Sequence, residues 1–114
     1  MDLKLQAPLS DILSAIERIE SFFEDVPMRF DVYCADTKLR FAIERNIEII
    51  GEAMNRILKM DPGIPITNAI AIVGTRNRII HAYDAISDDI IWAIIVNHLP
   101  TLKREVSSLL NNEY

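Results

Sequence analysis

LRFAIERNIEIIGEA, Leu39 to Ala53, decides the fold. Leu39, Ile43, Asn46, Ile50 and Ala53 follow at steps of four and three, and Ile57 continues the series. Those steps stack side chains on one face of an α-helix, because about 3.6 residues complete a turn. A half-buried strand would alternate at every second residue, and no segment of the chain does. The charges Lys38, Arg40, Glu44, Arg45, Glu48, Glu52, Arg56 and Lys59 lie mostly off the seam. The spacing predicts a long helix from about Tyr33 to Lys59, packed nearly antiparallel against its neighbours. Asn46 is polar on that seam, either as a hydrogen-bonded register group or as a residue facing a site.

The segments on either side follow the same rule. Upstream, Ile12, Leu13, Ile16, Ile19, Phe22 and Phe23 predict an amphipathic helix over Pro8 to Asp25, ended by Val26-Pro27. Downstream, Asp61-Pro62-Gly63-Ile64-Pro65 is a break, and Pro65 is placed to open a third helix running from Ile66 to about Tyr83. Ser87-Asp88-Asp89 has the form of a cap with acids in the first turn of a fourth helix, Ile90 to about Asn97. Pro100 should kink or break that helix, with Leu102, Val106, Leu109 and Leu110 continuing as a fifth helix or a bent extension. The expected architecture is an all-α, up-and-down bundle of four to five helices, with residues 1–114 as a single domain.

Composition agrees with a soluble domain: half the residues are hydrophobic and a quarter charged. The longest apolar run, Ile90 to Val96, is too short for a bilayer span of roughly 20 residues, so no membrane role is expected. MDLKLQAPLS lacks a basic region followed by an apolar core. One cysteine, Cys34, excludes an internal disulfide and fits a reducing cytoplasmic setting. The net charge of −5 and pI near 4.9 argue against a protein that merely coats nucleic acid, so any contact with RNA needs a local cationic patch.

TRNRIIHAYD, Thr75 to Asp84, gathers the unusual polar groups. On a wheel of about 100° per residue, Ala69, Ile72, Val73, Ile79, Ile80 and Tyr83 fall near the direction of Arg76. Arg76 therefore points near the middle of an apolar stripe. Asn77 and His81, four apart, share a neighbouring face, flanked by Arg78. A guanidinium among apolar groups is costly unless paired or wet. Two readings stay open: Arg76 pairs with Glu44, Glu48 or Glu52 of the long helix, or the stripe faces a cleft or a second subunit. Gly74 is consistent with close approach, since a mid-helix glycine costs about 1 kcal/mol relative to alanine.

The chemistry available is limited and specific. His81 is a candidate general acid or base, since an imidazole titrates near pH 6.5. Arg76 and Arg78 suit phosphate oxygens, which the guanidinium fork grips in pairs. Asn77 can orient the histidine or a hydroxyl, and Tyr83 adds a hydroxyl and a stacking ring. No nucleophile motif accompanies His81, and no second histidine or carboxylate stands at metal-ligand spacing to it. His98 is remote and is expected at a helix end. The set suits metal-free, cofactor-free chemistry on a phosphodiester, and RNA brings its own nucleophile in the 2′-hydroxyl.

Arg76-Asn77-Arg78-Ile79-Ile80-His81-Ala82-Tyr83 resembles the signature of the HEPN superfamily, and its His-x-Tyr extension is similar to that of the HepT-like toxins. Arg45-Asn46-Ile47-Glu48-Ile49-Ile50-Gly51-Glu52-Ala53 resembles that family's central helix, and Ile64-Pro65, Ile91-Trp92 and Leu99-Pro100-Thr101-Leu102 match as well. The resemblance spans about residues 5–110. One departure is Ile66, where the family often has tryptophan. The resemblance implies a helical homodimer whose cleft is lined by Arg and His residues of both subunits. It also implies a metal-independent ribonuclease toxin of a type VII-like toxin–antitoxin system, with a minimal nucleotidyltransferase as partner antitoxin. In HepT-like members that partner transfers AMP to the tyrosine. Carried over, Arg76 and His81 are the catalytic pair, Asn77 the polar helper, Arg78 a substrate contact and Tyr83 the modification target. The alternative is a non-catalytic interaction or nucleotide-sensing subunit of a nucleotidyltransferase complex.

Overall fold

The computed structural model describes residues 3–81 and 87–111, and among these the chain is helical with no strand. Helix α1 spans Leu3–Phe22, α2 Phe30–Ala35, α3 Thr37–Met60 and α4 Ala69–His81. Helix α5, Asp88–Ala93, runs through the wider turn Ile94–His98 into α6, Leu99–Leu110. All six seam residues predicted from Leu39 to Ile57 are buried in α3. That helix lies at the centre, with α1 and α4 packed along it and α6 against α1.

Helices α1 and α3 run antiparallel, as paired side chains fix. Arg56 Nη2 meets Asp11 Oδ2 at 3.0 Å, while seven residues later in α1 Arg18 Nε donates to Asn46 Oδ1 at 2.8 Å. Asn46 Nδ2 in turn donates to the Ala42 carbonyl at 2.8 Å. Both ends of the buried carboxamide are thus satisfied, so Asn46 is a register group of the α1–α3 interface. Burial of Leu5, Leu9, Ile12, Ile16 and Ile19 against α3 supplies the main driving force, roughly 1.5–3 kcal/mol per side chain.

Several boundaries differ from the sequence reading. Helix α1 starts at Leu3, not Pro8: Pro8 lies inside it, and burial of Leu5 and Leu9 outweighs the hydrogen bond that proline omits. The predicted Tyr33-to-Lys59 helix is two helices. Asp36 is extended (φ −107°, ψ 99°), ends α2, and caps α3 by accepting from the Leu39 amide at 3.0 Å. Pro65 opens no helix. Asn68 at φ +63° stands before Ala69, and Glu105 of α6 accepts from the Thr67 amide and hydroxyl at 2.9–3.1 Å, so the chain turns before α4 can begin. Ser87 does occupy the cap of α5, through its backbone carbonyl and without a side-chain bond.

The regular helix is interrupted before Pro100, at the wide turn Ile94–His98, and Pro100 stands in the first turn of α6. Leu99 N–H donates to the Ile94 carbonyl five residues back, and this wide turn just before Pro100 accommodates its ring and missing donor. His98 is the last residue of the wide turn and the N-cap of α6, so it stands at a helix end as expected.

The aromatic rings of Phe23, Phe30 and Tyr33 close around Trp92 at centroid distances of 6.0, 6.0 and 5.5 Å, tying α2 and α5 to the end of α1. Tyr33 is fully buried and its hydroxyl has no partner among the described residues. Burial, then the carboxylates of Asp88 and Glu44, push its pKa upward. Glu44 is pushed upward as well, by burial first and by Asp88, against the opposing pull of Arg40. Among the described residues no helix is long and apolar enough to cross a membrane.

Candidate active site

Helix α4 contributes little to the core: Ala69 is its one buried residue among those described. Among the described residues its main packing partner is α3. Around the wheel, Asn77, Ile70, His81, Gly74 and Arg78 occupy one sector about 100° wide, turned away from α3. Asn77, Arg78 and His81 are exposed, and Ile70 is 81% exposed. Nothing lies within 4 Å of the position a side chain at Gly74 would take. Among the described residues, then, the close approach expected at Gly74 is not made.

It is made at Gly51 of α3 instead. An added Cβ there would fall onto Arg76 Cβ, 2.8 Å from Arg76 Cγ and 3.2 Å from the Ile72 carbonyl oxygen. The stem of Arg76 thus lies directly on the α3 backbone. Its Nε is buried without a hydrogen-bond partner, and Nη1 donates to Asn77 Oδ1 at 3.0 Å. The pairing considered with Glu44, Glu48 or Glu52 does not form. Arg45 takes Glu48 at 3.2 Å and Glu52 at 3.7 Å, and among the described residues no carboxylate forms an ion pair with Arg76. Arg76 instead borders a polar cleft of about 340 Å³ shared with Asp11, Glu52, Asn55 and Arg56.

The structure therefore brings Arg76 and Asn77 into contact and leaves Arg78 and His81 exposed on the adjoining open face, without hydrogen bonds among the described residues. Arg76 and His81 leave the helix about 140° apart, so one chain alone does not stack them. Tyr83 lies outside the described residues. A second cavity, of about 250 Å³ between α3, α4 and the α5–α6 rod, is walled by Ile47, Ile50, Ile72, Ile94 and Leu102. His98 stands there beside Asn68 at 3.4 Å, apart from the arginine cleft.

The sequence model of the ribonuclease HepT-like family matches residues 12–109, nearly the whole helical array. The chain belongs to the HepT-like ribonuclease family. It is 33% identical over 105 residues to a protein of Thermococcus cleftensis named "Probable ribonuclease HepT", covering 89% of this chain and 91% of that one. A protein of Methanocaldococcus jannaschii named as an RNase is 30% identical over 112 residues, covering 95% and 88%. Another, from Caldanaerobacter subterraneus, is 30% identical over 102 residues, covering 86% and 83%. No solved structure matches the chain. The HepT-like match includes both the α3 glycine and the α4 polar cluster, the two elements whose contact seats Arg76.

Sequence reasoning missed the role of Gly51. The signal was present: a glycine inside a long helix costs about 1 kcal/mol unless a neighbour needs the space. Gly74 and Gly51 carry the same cost, and it is at Gly51 that a neighbour takes up the space.

Proposed function

We propose that this chain is the toxin of a toxin–antitoxin pair, a metal-independent endoribonuclease that works as a homodimer in the cytoplasm. The observation that carries the reading is Arg76: its guanidinium is held by a neutral carboxamide rather than a carboxylate, beside an open face bearing His81 and Arg78. A cation left without an acid partner is available to phosphate oxygens.

His81 takes the proton of a 2′-hydroxyl, whose oxygen attacks the adjacent phosphorus. The bond to the 5′-oxygen breaks, and that oxygen leaves with a proton supplied by the partner's His81 or by water. A 2′,3′-cyclic phosphate and a 5′-hydroxyl result. Arg76 stabilises the charge that builds on the phosphoryl oxygens, Asn77 holds the guanidinium, and Arg78 binds the backbone nearby. Homodimerisation through α4 is supported by the exposed Ile70, the open space over Gly74 and the wide angle between Arg76 and His81. A two-fold pairing of α4 helices places the imidazole of one protomer near the guanidinium of its partner and concentrates four arginines on an acidic body. A minimal nucleotidyltransferase as antitoxin, transferring AMP to Tyr83, would add negative charge beside those arginines and repel RNA.

Incubation of purified protein with RNA in excess EDTA tests the activity. Cleavage leaving cyclic phosphate ends supports the nuclease. Binding without cleavage supports the non-catalytic subunit instead. Mass spectrometry after co-expression with a nucleotidyltransferase tests Tyr83: an unmodified tyrosine in a silenced complex points to inhibition by occlusion.

A further inference from the structure

We propose that Gly51 is a positioning residue for the reaction: by lacking a side chain it lets α4 descend onto α3 and seats Arg76 with its Nε buried and its guanidinium held at Asn77. The inference rests on the role given to Arg76 above. The geometry is local and rigid. The atoms that a Gly51 methyl would strike are Arg76 Cβ and Cγ and the Ile72 backbone oxygen, none of them the free end of a flexible side chain. Rotation about χ angles cannot relieve the Cβ contact, so α4 itself has to move.

That movement acts on one functional group in particular. Arg76 Nε is buried with no hydrogen-bond partner among the described residues, at the end of the stem that lies on Gly51. The three-point arrangement of stem on Gly51, Nε enclosed and Nη1 on Asn77 leaves the guanidinium a narrow range of positions. A shift of α4 as a body carries the backbone of Arg76, Asn77, Arg78 and His81 together, so what it changes is the seating of one side chain: the Arg76 stem leaves Gly51 and its Nε loses its enclosure. Gly51 therefore governs where the cation sits relative to the rest of the site, with no contact to substrate of its own. A displacement of about 1 Å at such a group can cost on the order of a hundred-fold in rate.

The test compares wild type with Gly51→Ala by steady-state cleavage of a short RNA in EDTA and by the Nε–H signal of Arg76 in proton–nitrogen correlation NMR. The expected result is a fall in kcat of about ten- to a hundred-fold, KM within about threefold, and loss or fast exchange of the slowly exchanging Arg76 Nε–H. Wild-type kcat with an unchanged Nε–H signal overturns the proposal. So does a loss confined to KM, which a merely loosened RNA surface would give. Should Gly51→Ala fail to fold, Gly51→Ala with Arg76→Gly removes the colliding stem. Recovery of the melting transition upholds the contact between position 51 and the Arg76 stem, and no recovery overturns it; cleavage is not a readout in this variant, which lacks the catalytic arginine. If wild type cleaves no RNA, the ribonuclease assignment fails, and the Nε–H comparison alone decides whether Gly51 places Arg76.

Discussion

Arg76 Nη1 donates to Asn77 Oδ1 at 3.0 Å, so the guanidinium is fastened to the next residue of its own helix and not to an acid across the bundle. A carboxylate would hold it more tightly and cancel its charge. A carboxamide orients it and leaves the charge intact. Asn77→Ala should free the guanidinium and lower kcat about ten-fold with little change in KM. Asn77→Asp should reduce cleavage further, because the new acid neutralises the cation. Steady-state kinetics on one RNA decides both.

His81 is exposed and makes no hydrogen bond among the described residues. His81→Ala should therefore leave the melting temperature within about 2 °C of wild type. Removing the general acid or base should lower cleavage by roughly a hundred- to ten-thousand-fold. Undiminished cleavage by a folded variant rejects the assignment.

Arg78 projects from the same open face and touches no described acid. Arg78→Ala should weaken RNA binding more than it slows chemistry. The slope of log affinity against log salt should become shallower by about one. Filter binding at a series of salt concentrations, using the His81→Ala protein to prevent cleavage, measures that slope.

Asn46 is buried and takes part in two hydrogen bonds of 2.8 Å, one of them from Arg18 across the α1–α3 interface. Asn46→Ala should destabilise the fold by about 1–3 kcal/mol, read from urea unfolding. Arg18→Ala should cost less, since Arg18 is exposed and water can replace it at the carboxamide.

Glu44 is held above the ordinary carboxylate range by burial and by Asp88. Its folded-state pKa exceeds the unfolded one, so the native state binds the extra proton. Its contribution is most favourable below the unfolded pKa and is lost as pH rises through the folded one. Glu44→Gln should raise the melting temperature at pH 7 by on the order of 1–3 °C, a small gain because the group is partly solvated. The gain should vanish near pH 4. A constant difference across that range rejects the burial argument.

The seam of α3 was legible because every apolar step from Leu39 to Ile57 obeys one period, and packing on one face needs nothing else. The division at Asp36 was not, since no glycine or proline stands between Tyr33 and Leu39 and the cap rests on one aspartate accepting from the Leu39 amide. The start of α4 depended on Glu105, distant in sequence, and on a left-handed Asn68, neither of which periodicity reveals. At the site, the wheel placed Arg76 toward the apolar side and Asn77 and His81 off it. The partner of Arg76 is a long-range backbone contact at Gly51, which no spacing rule within α4 contains.

The wide turn Ile94–His98 has a consequence for how the chain tolerates changes in length. Ile91 and Leu99 are eight residues apart and both buried, although eight residues of regular helix would rotate them about 80° out of line. The extra width of the turn takes up that rotation. Seven residues of ordinary helix would leave the same two positions only about 20° apart. A one-residue deletion in this stretch should therefore keep the two halves in phase, at the cost of setting Pro100 inside regular helix, whereas a one-residue deletion in α3 would throw the central seam out of phase by about 100°.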